Sequence, residues 1–204
     1  MATPTILTLV RHGETSANLD GVWHGSTDTA LTERGHRQAA RAADYLKERH
    51  GDTTALYSSH LRRARDTARP IAAVLGLAPK VDEGLGEYDL GSWEGKTYKE
   101  LFETHRLWDH LKKDPDFAPH GGESPMAATV RVDAALRRIA AAHDGERVVI
   151  VTHGGVLSMT LAYVLEGDYT QWRRVMENCA VSELVIEPEP SLLSFNHTGH
   201  LEGI

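Results

Sequence analysis

The chain has 204 residues, 41% of them hydrophobic and 25% charged, with no biased tracts. This is the profile of one globular domain, residues 1–204, able to bury a full core. Its formal charge of -7 removes any global electrostatic case for DNA, RNA or an anionic membrane as partner, so an anion must be held locally. Cys179 is the single cysteine, which excludes an intramolecular disulfide framework and suits a reducing compartment; its expected role is apolar filling. The first ten residues lack a basic leader with an apolar core, and no apolar run approaches the ~20 residues of a membrane span. The expected setting is the cytoplasm.

In chain order, residues 5–10 form a short β-branched run that predicts a buried strand ending at Arg11, His12 and Gly13. Residues 31–50 predict a helix with Thr32 as N-cap and Ala39, Ala42, Ala43 and Leu46 on one apolar stripe, ended by Gly51. A second strand is expected over 54–58 and a second helix over 61–75, kinked or divided at Pro70. Residues 81–95 are glycine-rich and irregular. Residues 97–120 mix aromatics, lysines and prolines, which reads as loop and short helices over a site. Ser124 and Pro125 open a further helix to about residue 142, with Val130, Leu136 and Ile139 on its apolar face. Residues 147–152 are the cleanest buried strand and end at His153, Gly154 and Gly155, ahead of a helical stretch over 156–165. Residues 179–187 and 192–195 close the chain as strands.

Alternating strands and helices predict an α/β domain with a mostly parallel central sheet flanked by helices on both faces. Ligands of such sheets bind beyond the carboxyl ends of the strands. His12 and His153 are both expected at such ends, distant in sequence yet neighbours in space. Arg11-His12-Gly13-Glu14 fixes four positions that recur by chance in roughly one chain in a thousand of this length.

On these residues the sequence resembles the histidine phosphatase superfamily, also called phosphoglycerate mutase-like. The resemblance spans nearly the whole chain: residues 9–15 with Asn18, residues 25–31 with Asp28, residues 59–64 with Thr67 and Ala68, Glu87 ahead of residues 90–95, and residues 121–124 followed by 151–155. It implies His12 as the nucleophile, a phosphate pocket of Arg11, Arg63 and His153 assisted by Asn18, and Glu87 as general acid and later base. Thr15, Gly25 and Gly154 are secondary binding candidates, the last through backbone N–H groups at a helix N-terminus. Arg62 reads as a solvated neighbour of Arg63. Glu14 is expected to fix loop geometry or pair with an arginine. Glu94 reads as structural, while Glu83 and Glu94 are the rivals of Glu87.

The chemistry fits those residue types. Phosphoryl transfer spreads charge over three equatorial oxygens, so positioning and cationic stabilisation dominate. Two guanidiniums and an imidazolium supply this without a metal or cofactor, and the arginine fork meets two oxygens at once. His12 must attack as neutral imidazole, a form favoured by neighbouring cations, with its other ring nitrogen donating to a backbone carbonyl. His153 is expected to stay protonated beside the dianion.

The resulting expectation is a phosphomonoesterase acting on a small phosphorylated metabolite through a phosphohistidine on His12. The runner-up is a cofactor-dependent phosphoglycerate mutase, disfavoured because residues 97–120 are short and carry lysines where the mutases carry an adjacent arginine pair. A phosphate-sensing or scaffold module is the non-enzyme alternative. Substrate choice is assigned to residues 97–120, where Tyr98, Lys99, Arg106, Trp108, Lys112, Lys113 and His120 are candidates for a second anionic group or a sugar. His105, His110, His197 and His200 read as structural or solvated, and Trp93, Trp108 and Trp172 as packing residues. The apolar segment 179–186 offers an edge strand for a possible homodimer.

Overall fold

A computed structural model describes residues 3–118, 121–171 and 173–204 of the chain. Two sequence candidates, His120 and Trp172, lie outside the described residues. The leucine- and valine-rich start forms β1 (Ile6–Arg11), whose four central residues are all buried. A single turn, α1 (Ser16–Leu19), follows, opened by a capping box between Thr15 and Asn18. The alanine stripe becomes α2 (Glu33–Arg49), with Thr32 as N-cap accepting the Gly35 N–H.

Next come β2 (Thr53–Ser58) and α3 (Arg62–Leu75). Of the two outcomes expected at Pro70, a kink or a division, the division does not occur: Pro70 lies inside α3. Ala64, Thr67, Ala68 and Ile71 are buried on both sides of the proline position, so tertiary packing offsets the one lost backbone bond. The short strand β3 (Lys80–Val81) precedes two turns of 3-10 helix at Glu83–Leu85 and Gly91–Trp93. Two short helices then form in the segment assigned to substrate choice, α4 (Tyr98–Glu103) and α5 (Leu107–Lys113).

Ser124 caps α6 (Pro125–Ala141) with proline in its first turn. Its buried face is Ala128, Val132, Ala135, Leu136 and Ile139, whereas Val130 is 45% exposed. Val130 stands two residues from Ala128 and Val132, roughly opposite them on a 3.6-residue turn, so apolar character alone misplaced it. The chain ends with β4 (Arg147–Thr152), α7 (Gly154–Glu166), β5 (Val181–Val185) and β6 (Ser191–His197).

The six strands form one sheet in the order β3-β2-β4-β1-β5-β6. The pairs β3/β2, β2/β4 and β4/β1 are parallel, and β5 and β6 add antiparallel. Val149 and Val151 of β4 face α2 and α3 together with Val10 and Leu56. Val148 and Ile150 face α6 and α7 together with Leu7 and Leu9. Burial on both faces explains why these strands read as continuous apolar runs. The expected edge strand near residues 179–186 is corrected: β5 is paired on both sides, and β6 is the edge. An eight-residue, mostly apolar segment cannot by itself distinguish an edge from an interior position. No helix among the described residues is long and apolar enough to cross a membrane.

Candidate active site

The parallel register of β1 on β4 pairs Arg11 with Thr152. The next residue of each strand is therefore a histidine, and His12 and His153 meet just beyond the sheet with ring centroids 5.2 Å apart. The His12 N–H donates to Thr152 O at 2.9 Å, and the Ser59 N–H to Val151 O at 2.9 Å. Three adjacent parallel strands thus deliver Arg11-His12, Ser59 and His153 to one point.

Gly13 turns the chain away from β1 against α2. A Cβ at Gly13 would stand 2.6 Å from Gly35 O, and one at Gly35 2.2 Å from Glu14 O, so both positions require glycine for close backbone approach. Glu14 accepts from Thr32 Oγ1 at 2.8 Å and pairs with Arg34 at 2.8 Å. These contacts fix the loop, and Glu14 is absent from the lining of the cleft described below.

His12 is buried, and its Nδ1 lies 2.7 Å from Gly13 O. With the Nδ1 proton given to that carbonyl, the lone pair stands on Nε2, on the other side of the ring. Burial, then Arg63 and Arg11, push its pKa well below 6.5. His153 is fully buried, with Nε2 2.8 Å from Ser59 Oγ and Nδ1 without a protein partner. Burial comes first, followed by Arg63 and His12, in driving its pKa well below 6.5. Burial and the neighbouring cations thus oppose an imidazolium in the protein by itself, whereas the protonated His153 expected from sequence belongs to the site with a phosphate dianion in place.

Arg63 is buried and donates to the carbonyls of Thr27, His24 and Gly25 at 2.8 to 2.9 Å. Its fork is thereby fixed, and Gly25 serves as its support without lining the cleft. Arg62 behaves as the sequence spacing suggested, exposed and paired with Asp66. Arg11 donates to Met176 O at 2.6 Å, while its Nε is buried without a partner. Its side chain lies over Gly154, where a Cβ would stand 2.9 Å from Nε.

Glu87 sits at the start of α7. Its Oε1 accepts the N–H of Tyr88 at 2.8 Å and of Val156 at 2.6 Å, and its Oε2 accepts that of Gly155 at 2.9 Å. Two N–H groups of the helix terminus that sequence offered to phosphate therefore hold this carboxylate. The rivals stand elsewhere. Glu83 is exposed, and Glu94 accepts from the backbone of Ser26 and Thr27 at 2.5 and 2.7 Å.

Arg11, His12, Thr15, Asn18, Arg63, Glu87 and Gly154 all line one cleft of about 260 Å³. Thr15 and Asn18 contribute chiefly through the capping box. Asn18 Oδ1 accepts from the Thr15 N–H at 3.1 Å and from Asn178 Nδ2 at 3.2 Å. Asn178 also donates to His12 O at 3.0 Å and was not found from sequence, where nothing in its neighbourhood marks it. From the 97–120 segment, Tyr98, Leu107, Trp108 and Leu111 line the cleft, whereas Lys99, Arg106, Lys112 and Lys113 do not. Trp93, His105, His110 and Phe117 pack on one another. His197 and His200 stack on Tyr45 at 4.7 and 4.9 Å.

A mostly parallel α/β sheet that gathers two histidines, the buried Arg63, the half-buried Arg11 and a carboxylate at its strand ends defines a protein suited to holding a phosphoryl group. The chain belongs to the histidine phosphatase superfamily (branch 1), whose family model matches residues 7–198. It is 35% identical over 206 residues to a bifunctional protein of Mycobacterium tuberculosis, covering 98% of this chain and 56% of that protein. The chain thus spans little more than half the length of that relative. It is 40% identical over 159 residues to a metal-independent phosphoserine phosphatase of Arabidopsis thaliana, covering 75% of this chain and 66% of the relative. Among solved structures it is similar to a mycobacterial glucosyl-3-phosphoglycerate phosphatase complexed with VO3. The TM-score is 0.83 at 31% identity, over 95% of this chain and 99% of the other.

Proposed function

We propose that this chain hydrolyses a small phosphomonoester through a phosphohistidine on His12. The observation that carries the reading is the His12 ring. Its Nδ1 is anchored on Gly13 O, its pKa is pushed down, and it lines the same cleft as Arg11, Arg63 and Glu87. Neutral Nε2 attacks phosphorus, the N–P bond forms and the ester O–P bond breaks. The departing alkoxide takes its proton from Glu87. Water then attacks with the proton returned to Glu87, the N–P bond breaks, and inorganic phosphate leaves.

Arg63 is held rigid by three carbonyls and Arg11 keeps a spare Nε donor, so both meet the equatorial oxygens without reorganising. His153 adds its Nδ1 and, once the phosphate dianion is beside it, a proton. The chemistry needs no metal, and the reading includes a cytoplasmic setting, resting on the single buried cysteine.

The test is hydrolysis of p-nitrophenyl phosphate in excess EDTA by wild type and His12→Ala, repeated with 3-phosphoglycerate and 2,3-bisphosphoglycerate. EDTA-resistant release of phosphate that vanishes in the variant is expected. Interconversion of phosphoglycerates without net hydrolysis would make the chain a mutase. Phosphate binding without either reaction would make it a sensing module.

A further inference from the structure

The cleft has two chemically distinct ends. Its described arginines, Arg11 and Arg63, stand with His12 at the sheet edge. The remainder is walled by Trp23, Tyr98, Leu107, Trp108, Met159 and Val175. Trp23 organises part of this wall, with Tyr88 and Tyr98 edge-on to its ring at 6.2 and 5.8 Å.

The cations of the overlying segment are turned elsewhere. Arg106 pairs with Asp109 at 2.6 Å, Lys96 lies 3.5 Å from Glu100, and Lys99 lies 4.0 Å from Glu103. Away from Arg11, the buried polar atoms of the lining include three without a protein partner, the hydroxyls of Ser158 and Thr29 and His24 Nδ1. Among the described lining residues, no lysine or arginine meets a second anionic group.

We propose that the alcohol released by this chain is uncharged and bears an aromatic or branched apolar group. That group seats against the Trp23, Tyr98 and Trp108 wall, with the Ser158 hydroxyl available for one hydrogen bond. The proposal rests on the phosphomonoesterase reading above and narrows it. A carboxylate-bearing substrate would place its charge against aromatic and aliphatic carbon with no lysine or arginine among the described lining residues as counter-ion, exchanging its water for a hydroxyl or imidazole donor at most. An apolar leaving group instead buries carbon against carbon, and burial of a group of this size favours it strongly.

The test uses two primary alkyl esters of similar intrinsic reactivity, 2-phenylethyl phosphate and 2-carboxyethyl phosphate. Their non-hydrolysable counterparts, 3-phenylpropylphosphonate and 4-phosphonobutanoate, are titrated calorimetrically against the same protein. The expected result is a preference of about tenfold or more for the phenyl member in both kcat/KM and affinity. In Val175→Arg, at a position 60% exposed on the rim, the carboxylated pair should gain about fivefold and the phenyl pair should not.

Equal or tighter binding of 4-phosphonobutanoate overturns the proposal, whatever the rates. If p-nitrophenyl phosphate and both esters go unhydrolysed while the phosphonate preference holds, the hydrolase reading fails and the ligand class stands.

Discussion

Glu87 and Gly155 are held in direct contact: Oε2 accepts the Gly155 N–H at 2.9 Å, and a Cβ at residue 155 would lie 2.9 and 3.0 Å from the two carboxylate oxygens. The helix terminus that anchors the proposed proton carrier therefore leaves no room for a methyl group, because Trp23 closes the other side at 2.8 Å. Gly155→Ala should shift Glu87 and lower kcat by about tenfold to a hundredfold, as misplacement of a reacting group does. Steady-state kinetics alongside a circular dichroism melt check this. A correctly folded variant with wild-type kcat would mean that Glu87 carries no proton in the reaction.

Asn178 donates both to His12 O and to Asn18 Oδ1, tying the residue before Cys179 to the proposed nucleophile's own backbone. It acts as a positioning residue. Asn178→Ala should reduce kcat about tenfold with KM changed less than about twofold. Asn178→Asp should not restore it, since a carboxylate cannot donate to a carbonyl. A rise in KM with kcat intact would assign Asn178 to ground-state binding instead.

Both site histidines are buried with folded-state pKa values pushed well below 6.5, and His50 and His200 are lowered in the same direction by burial. The unfolded chain therefore binds more protons than the folded one once pH falls below about 6.5. The stability these groups contribute is fully present above that pH and is lost as pH falls from it toward the folded values. Urea denaturation at pH 7.5, 6.5, 5.5 and 5.0 should show a declining midpoint, with a shallower decline in His12→Asn. A midpoint that stays flat in wild type through this window contradicts the buried neutral pair.

Thr32 performs two tasks, accepting the Gly35 N–H at 2.9 Å as the α2 cap and donating to Glu14 Oε1 at 2.8 Å. Thr32→Ala should cost about 1 kcal/mol, seen as roughly 2–4 °C of Tm in a chain of this size. Thr32→Ser should recover most of it. A melt unchanged in the alanine variant would show that neighbouring groups satisfy the helix start.

The local pattern of the sequence determined a good deal. Apolar runs over residues 5–10 and 147–152 announced two buried strands, because strands covered on both faces have no polar side to show. Each run stops at a histidine followed by glycine, and that alone placed His12 and His153 at strand ends. Thr32 and Ser124 were legible as caps because capping is a contact between residues three apart. The family resemblance carried the roles of Arg63 and Glu87, which no local pattern supplies.

Tertiary structure alone decided the rest, since these features depend on which distant residues meet. The Arg11 to Thr152 register made the two histidines neighbours. Packing on both sides of Pro70 kept α3 whole, the turn of α6 left Val130 outside, and pairing with β6 made β5 an interior strand. Desolvation, a property of the assembled site, is what presses the pKa of His153 down before any anion arrives. In one dimension Tyr98, Trp108, Arg106 and the lysines of residues 97–120 were equal candidates for substrate contact, and the packing of α4 and α5 put Tyr98 and Trp108, with Leu107 and Leu111, on the cleft and the lysines and Arg106 off it. Sequence names the groups available to a site; the direction each side chain takes follows from how the elements pack against one another.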